Sequence, residues 1–348
     1  MKLAIIFGGS SYEHEISIVS AITLKGILKT IEPIFIFVDS SRDFYLIDKD
    51  NMKSKFFSSR EYLKKSKKLS IIKGGFETKG LLKSKPIDFD VALNLIHGRD
   101  GEDGKMASIL EFFDIKYIGP RVEASVLSYN KLYTKWLAKH LGIQTIDYIT
   151  IKKGEEDFKI PFNYPIIIKP IRLGSSIGVS VVEDESKLNY ALDVAFEFDD
   201  EVLVEPFIEG IKEYNLAGCY TTEWKLSILE EPKKDNFLDF ETKYLDFSRD
   251  GKIEEANVAN SVKDAIEGAF KKIYFPLFKG AIIRCDFFVK DREVYLNEIN
   301  PIPGSMANYL FDNFEDILKE IATNLHKEKN ININYLYINN IQSAKGKV

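Results

Sequence analysis

The chain has 348 residues, 45% hydrophobic and 29% charged, with a formal net charge of −5. This length gives two or three domains with real cores, and the composition is that of an ordinary soluble globular protein. The acidic balance argues against a general nucleic-acid binder, and two cysteines without metal-type spacing, Cys219 and Cys285, predict buried, inert thiols in a reduced compartment.

The opening "MKLAIIFGGSSYE" has a five-residue apolar run, shorter than a signal-peptide core, and no window approaches a transmembrane span. A cytoplasmic protein without a membrane partner is expected. "KLAIIF" reads as a buried parallel strand ended by Gly8-Gly9, "HEISIVSAITLKGIL" as a helix and "IFIFVDS" as a second strand, a βαβ start. The dinucleotide fingerprint fails here, because Ser10 and Glu13 stand at the second and third glycine positions. Glu13, at the loop-to-helix turn, is placed to meet a cationic amine, whereas His14 reads as a helix-start residue. Residues 49–85 hold twelve Lys or Arg against three acids and read as a solvated surface insertion.

"DVALNLIHG" resumes the sheet, "HGRDGEDG" is a glycine-punctuated loop, and "KMASILEFFDI" is a further helix. Within that loop, His97 and Glu102 are candidate substrate contacts; for Glu102 the alternative is an acid favoured by the helix dipole. A first domain ends near Pro120. "SVLSYNKLYTKWLAKHLGI" reads as one helix with an apolar stripe. "YPIIIKP", the loop "IRLGSSIG", "VSVVE", a helix around 186–197 and "EVLVEPFI" follow, with strands expected to be antiparallel.

In "LGSSIG", glycines and serine hydroxyls can cradle phosphate oxygens, but no Walker A sequence follows. Lys169 and Lys131 are candidate phosphate contacts. "VLVEPFIEGIKEYN" carries Glu205, Glu209 and Glu213 from a strand into a loop; it suits either adenine and ribose contacts or a solvated turn. The last third, from about Gly210, holds "EYNLAGCY", "WKLSILE", a polar stretch near 232–250, a helix around 258–278 and the hairpin "RCDFFVKDREVYLNEINP".

That hairpin carries Arg284 and Asp286 on one arm and Glu298 and Asn300 on the other. If Asp286 sits opposite Glu298, then Arg284 falls opposite Asn300 and all four converge. The register requires a three-residue loop or a bulge. Opposed like charges are unfavourable unless a cation lies between them, and carboxylate and amide oxygens suit Mg²⁺ that also binds phosphate. Arg284 beside such a site would stabilise developing phosphoryl or carboxylate charge.

In order, "GGSSYEHEIS", "HGRDGEDG", "SYNKLYTKW", "IIIKPIRLGSSIGVS", "VLVEPFIEG", "FETKYL", "IRCDFF" and "NEINPIPGSM" resemble the D-alanine–D-alanine ligase family of the ATP-grasp superfamily. The resemblance covers nearly the whole chain. It implies an α/β fold of three-domain ATP-grasp architecture: a Rossmann-like N-terminal domain at 1–120 with the Lys-rich insertion, a central domain at 121–210 and a C-terminal domain with the metal site at 211–348. It implies ATP and two Mg²⁺, with Mn²⁺ as a substitute. The reaction joins two D-alanines through D-alanyl phosphate, for peptidoglycan synthesis, in a cytoplasmic homodimer.

On this pattern Glu13 holds the amino group of the first D-alanine, linked by hydrogen bonds to Ser175 and Tyr244. Lys131 and Lys169 contact phosphates, Gly174, Ser175 and Ser176 close over them, and Lys243 joins the nucleotide contacts. Glu205, Pro206 and Ile208 line the adenine site, and Glu213 takes the ribose. Asp286, Glu298 and Asn300 bind the metal ions, while Arg284 and the Gly304 N–H stabilise the tetrahedral oxyanion. Tyr244 resembles the dipeptide-forming branch rather than the D-alanyl-D-lactate branch. Asn308 or Tyr309 stands where many members place a serine near the second substrate's carboxylate. Two other classes fit worse. A nicotinamide oxidoreductase lacks the glycine fingerprint, and a non-catalytic nucleotide binder would have no use for the hairpin residues.

Overall fold

The computed structural model describes residues 1–78, 84–232, 253–325 and 331–345. Strands β1 (Lys2–Gly8), β2 (Glu32–Val38), β3 (Phe44–Ile47), β4 (Lys67–Ile72), β5 (Gly75–Thr78), β6 (Lys85–Pro86), β7 (Val91–Asn94) and β8 (Tyr117–Ile118) form one sheet, in the order β6-β5-β4-β3-β2-β1-β7-β8. Its β2-β1-β7-β8 part is parallel. Successive side chains of β1 point to opposite faces, so a strand covered on both sides must be apolar throughout. Leu3, Ile5 and Phe7 join one core with Ile18, Ala21 and Leu24 of α1 (His14–Ile27). Ala4 and Ile6 join the other with Met106, Ala107 and Leu110 of α4 (Lys105–Phe112), which follows two short helices, α2 (Ser54–Ser58) and α3 (Tyr62–Lys65).

The Lys-rich stretch differs from the solvated insertion expected of it. It builds α2, α3 and the antiparallel strands β4 to β6, extending the sheet from β3. Its described lysines are exposed, but Phe56, Phe57, Tyr62, Leu69 and Phe76 are buried. The count of positive charge hid a sparse apolar pattern, and each buried side chain contributes about 1.5–3 kcal/mol.

The stretch expected as one helix is two: α5 (Val122–Tyr129) and α6 (Lys131–His140). Asn130 separates them. It is extended (φ −95°, ψ 113°), and its side-chain oxygen accepts from the N–H of Leu132 (2.9 Å) and Tyr133 (3.2 Å). An Asn that satisfies two orphan donors starts a helix more favourably than it continues one.

The second sheet orders β9 (Ile149–Lys152), β10 (Ile166–Pro170), β11 (Ser180–Val182) and β12 (Glu201–Pro206) as β11-β10-β12-β9, antiparallel throughout. Helix α7 (Leu188–Phe196) covers it, and its core is separate from the others. The third sheet has β13 (Lys212–Tyr220), β14 (Trp224–Leu226), β15 (Ile283–Lys290) and β16 (Glu293–Asn300) in the order β14-β13-β15-β16. Helices α8 (Asn260–Leu277) and α9 (Phe314–Thr323) bury stripes spaced three and four apart, in a core continuous with that of the first sheet. Cys219 and Cys285 are buried free thiols there, and burial pushes the Cys219 thiol up to about 12. The last helix, α10 (Ile338–Lys345), ends an exposed C-terminal stretch. Among the described residues no helix is long and apolar enough to cross a membrane.

The β15–β16 hairpin decides where its charged residues point. Asp286 pairs with Glu298 and Arg284 with Asn300. The turn is only Asp291-Arg292, both left-handed (φ +50° and +69°), and the register shifts between Asp286 and Phe287. Phe287 faces Leu296, so Asn297 is the extra residue of a bulge. Of the two ways to bring the four residues together, the chain uses the bulge and not a three-residue loop.

Candidate active site

The C-terminal end of β1 runs into a tight loop. Gly8 has φ +102°, and a Cβ there would lie 2.2 Å from the Val38 carbonyl oxygen. The loop is tied to the "HGRDGEDG" segment by buried Asp100. This carboxylate accepts from the Ser10 N–H at 2.9 Å and from the Arg42 guanidinium at 2.9 and 3.0 Å. Glu13 is thereby held at the start of α1, buried, with Oε1 accepting from the Ser175 hydroxyl. Its Oε2 is buried and has no hydrogen-bond partner among the described residues. Gly98 leaves room beside it, since a Cβ there would come 2.4 Å from Oε2. Burial first, then the Glu102 carboxylate, pushes the Glu13 carboxyl up to about 7. A buried, unpartnered carboxylate oxygen facing open backbone suits an ammonium group.

His97 and Glu102 border this pocket. The His97 ring is buried, and its Nδ1 lies 3.7 Å from Glu102 Oε1. Burial lowers His97 to about 4 and raises Glu102 to about 8. His14 stays at the helix start as expected, half-buried, its Nδ1 2.6 Å from the Gly9 carbonyl.

The second sheet supplies a cationic wall. Lys131, first residue of α6, donates to the Leu173 carbonyl at 2.5 Å and lies 3.9 Å from Glu298 Oε2. Lys169, next to last in β10, pairs with Glu205 of β12 at 2.5 Å. The other Glu205 oxygen takes Lys135 at 2.6 Å, and Lys135 also donates to the Ile146 carbonyl at 2.8 Å. Burial alone would raise the Glu205 carboxyl, but Lys169 and Lys135 together hold it below the usual range. Gly174, Ser175 and Ser176 form the loop between β10 and β11, with both serines left-handed (φ +59° and +57°). This loop reaches the first sheet through Ser175–Glu13, and the Tyr12 and Phe198 rings meet edge-on at 5.2 Å. Pro206 ends β12, Ile208 follows in the connecting loop, and Glu213 lies on β13 opposite Phe288.

At the hairpin end, Arg284 grips buried Asp286 through Nε (2.7 Å) and Nη2 (2.8 Å), and Asn300 Nδ2 donates to Asp286 Oδ2 at 3.0 Å. Burial raises the Asp286 carboxyl to about 6, against the pull of Arg284. Among the described residues no group of three or more His, Cys, Asp and Glu side chains is arranged to hold a metal ion. The donors here are two carboxylates and one amide oxygen on adjacent strands. That sparse hard-oxygen set fits a cation that takes its remaining ligands from phosphate and water. Gly304 opens the turn after β16, Asn308 donates to the Ser305 carbonyl at 2.8 Å, and Tyr309, partly exposed, turns its hydroxyl to Arg284.

Glu13, Ser175, His97, Glu102, Lys131, Arg284, Asp286, Glu298 and Asn300 therefore come together from three sheets, with Lys169 and Glu205 adjoining through Lys131. Tyr244 and Lys243 lie outside the described residues. Sequence reasoning missed Lys135. The signal was its spacing, four residues after Lys131 on one helix face.

A family model described as "D-ala D-ala ligase N-terminus" matches residues 2–120, and one described as "D-ala D-ala ligase C-terminus" matches residues 137–315. The chain is 62% identical to a D-alanine–D-alanine ligase of a Sulfurovum species over 347 residues, covering 100% of both chains. It is 58% identical to one of Campylobacter concisus, covering 99% of both. The crystal structure of D-alanine–D-alanine ligase from Helicobacter pylori superposes with a TM-score of 0.83 at 49% identity, over 94% of this chain and 100% of that one.

Proposed function

The chain belongs to the D-alanine–D-alanine ligase family, which has the ATP-grasp fold, and from that premise we propose how its own residues join two D-alanines at the expense of ATP. One observation carries the reading. A buried carboxylate oxygen without a partner, Glu13 Oε2, lies in the same cluster as the Arg284–Asp286–Glu298–Asn300 hairpin end. An anchor for an amine beside a clamp for a phosphoryl group is what amide formation from an amino acid and ATP requires.

Glu13 takes the ammonium of the first D-alanine, which places its carboxylate toward Arg284. Lys131, Lys169 and the 174–176 backbone bind the phosphates, Glu205, Pro206 and Ile208 the adenine, and Glu213 the ribose. Asp286, Glu298 and Asn300 would hold two Mg²⁺, or Mn²⁺, which would neutralise phosphate charge. The carboxylate oxygen of the first D-alanine attacks the γ-phosphorus, giving D-alanyl phosphate and ADP. The amine of the second D-alanine, after losing a proton, attacks the acyl carbon, and the C–O bond to phosphate breaks. Arg284 and the Gly304 N–H stabilise the oxyanion between these events. His97, Glu102, Asn308 and Tyr309 border the amino-acid sites, and Lys243 and Tyr244 act from the segment outside the described residues. The product feeds peptidoglycan synthesis.

The same reading carries a cytoplasmic homodimer and domains at 1–120, 121–210 and 211–348. The separate core of the second sheet supports the central domain. The test is Mg²⁺-dependent phosphate release from ATP with D-alanine, L-alanine or no amino acid, with the product identified by mass. Release with D-alanine and a D-alanyl-D-alanine mass is expected. Release that needs added D-lactate would reassign the second substrate, and release with L-alanine would refute the D-specificity of the first site.

A further inference from the structure

Ser20 is a buried serine on α1 that the reaction as described does not use. It stands seven residues after Glu13, two helical turns along the same face, about 10 Å away. Its Oγ lies 3.0 Å from His97 Nε2 and accepts from the Ser305 backbone N–H at 3.0 Å. We propose that Ser20 is a positioning residue, setting the His97 tautomer and anchoring the turn that begins at Gly304.

Hydrogen-bond accounting gives the direction of the chain. A backbone N–H can only donate, so Ser305 occupies a lone pair of Ser20 Oγ and leaves the hydroxyl proton to be placed. Among the described residues the acceptor it meets is His97 Nε2. Nε2 is then unprotonated and the ring proton sits on Nδ1, the nitrogen 3.7 Å from Glu102 Oε1, with the Ile302 backbone carbonyl as the other acceptor beside the ring. His97 therefore faces the pocket as a neutral donor and not as a base, in keeping with the low value that burial gives it.

The second half of the role is backbone geometry. Ser305, Met306 and Ala307 are all left-handed, with φ of +48°, +57° and +50°. Each such non-glycine residue lies roughly 1–2 kcal/mol above its right-handed form, so the turn persists only where its ends are held. Ser20 holds Ser305, the Pro303 carbonyl accepts from the Met306 N–H at 2.7 Å, and Asn308 grips the Ser305 carbonyl. Through Ser20, one helix sets both the Glu13 amine anchor and the orientation of the neighbouring Gly304 N–H. This role rests on the ligase reading above for its kinetic consequence, but the tautomer does not.

The experiment is ¹⁵N–¹H NMR of the imidazoles in the full chain, which has four histidines, with the His97 signal assigned by its loss in His97→Gln. The wild type is expected to carry the proton on Nδ1, and Ser20→Ala to lose that preference. In the same variant kcat is expected to fall about 10- to 100-fold with the ATP KM within about twofold, because the oxyanion donor is misplaced and the nucleotide contacts are not. Ser17→Ala is the control. Ser17 is equally buried on α1 and bonds the Gly8 N–H (2.8 Å) and the Leu95 carbonyl (2.6 Å), so it should lose stability while keeping the His97 signal. A wild-type proton on Nε2 overturns the proposal without any variant. So does an unchanged His97 signal in Ser20→Ala, however low its activity. If Ser20→Ala does not fold, Ser20→Thr keeps the hydroxyl and must show the wild-type tautomer. Absence of ligase activity in the wild type would sink the reaction assignment and leave the tautomer result standing.

Discussion

Replacing Lys135 with Met tests whether the buried Lys135–Glu205–Lys169 cluster is a reservoir of charge for the nucleotide. Met keeps most of the aliphatic stem, so packing is nearly preserved while two hydrogen bonds go, to Glu205 and to the Ile146 carbonyl. Breaking a buried ion pair costs about 3–5 kcal/mol when the remaining charge has no partner. Here Glu205 keeps Lys169 at 2.5 Å, and the desolvation of Lys135, whose value burial lowers, is relieved. The net loss should be about 2 kcal/mol, on the scale of one charge-assisted hydrogen bond. For a chain of 348 residues that corresponds to a melting midpoint lower by about 3 °C. The functional effect should exceed the structural one. With Lys135 gone, Lys169 is the one remaining countercharge of Glu205 among the described residues, so moving it to a phosphate would strand a buried carboxylate. The KM for ATP should rise at least about 10-fold, equivalent to about 1.4 kcal/mol, with the D-alanine KM little changed. Differential scanning calorimetry and initial rates over an ATP series measure both. An unchanged ATP KM in a folded Lys135→Met variant would refute the charge-sharing argument, whatever happened to the midpoint.

Glu13, Glu102 and Asp286 give a pH dependence of defined sign. Their carboxyls are raised to about 7, 8 and 6, so the folded chain holds protons that the unfolded chain releases. Stability of the ligand-free protein should therefore fall as pH rises from about 4.5 to about 8 and level off above, and Glu13→Gln should remove roughly 3 kcal/mol of that fall. Urea midpoints across this range measure it, and a wild-type midpoint that rises with pH would contradict the assignment. Gly98→Ala would put a Cβ 2.4 Å from Glu13 Oε2 at φ +68°, so kcat/KM for D-alanine should drop by at least about 100-fold while ATP still binds. Glu298→Gln should lower kcat by about 100- to 1,000-fold and weaken ATP binding far less; equal turnover would remove the hairpin end from the reaction. Tyr244→Phe should alter discrimination between second substrates, read from product masses with D-alanine and D-lactate together.

Much of the site was legible because its chemistry is written in local patterns. The alternation of "RCDFF" and "NEINP" places Arg284 and Asp286 on one face and Glu298 and Asn300 on one face without any knowledge of the rest. Whether those faces meet depended on one bulge at Asn297, and no local signal separated a bulge from a longer loop. Likewise "SYNK" offers a lysine as a candidate phosphate contact, but the helix break at Asn130 arises from a capping competition that an apolar stripe does not reveal. The Lys-rich stretch misled because composition averages over both faces of a strand, and five buried aromatic and aliphatic side chains among twelve cations are enough to build an edge of sheet.

The sequence by itself determined the element types, the apolar faces and the kinds of donor and acceptor that the site would use, since these follow from periods of 2 and 3.6 residues and from side-chain chemistry. Only the tertiary structure decided which of them act on one another. Glu13 and Ser175 are 162 positions apart, Ser20 and Ser305 are 285, and Lys135 reaches Glu205 across two elements. Such contacts are products of how three sheets pack. The lowered carboxyl of Glu205, the raised carboxyls of Glu13 and Glu102 and the neutral His97 all arise from burial and from neighbours that chain order does not supply.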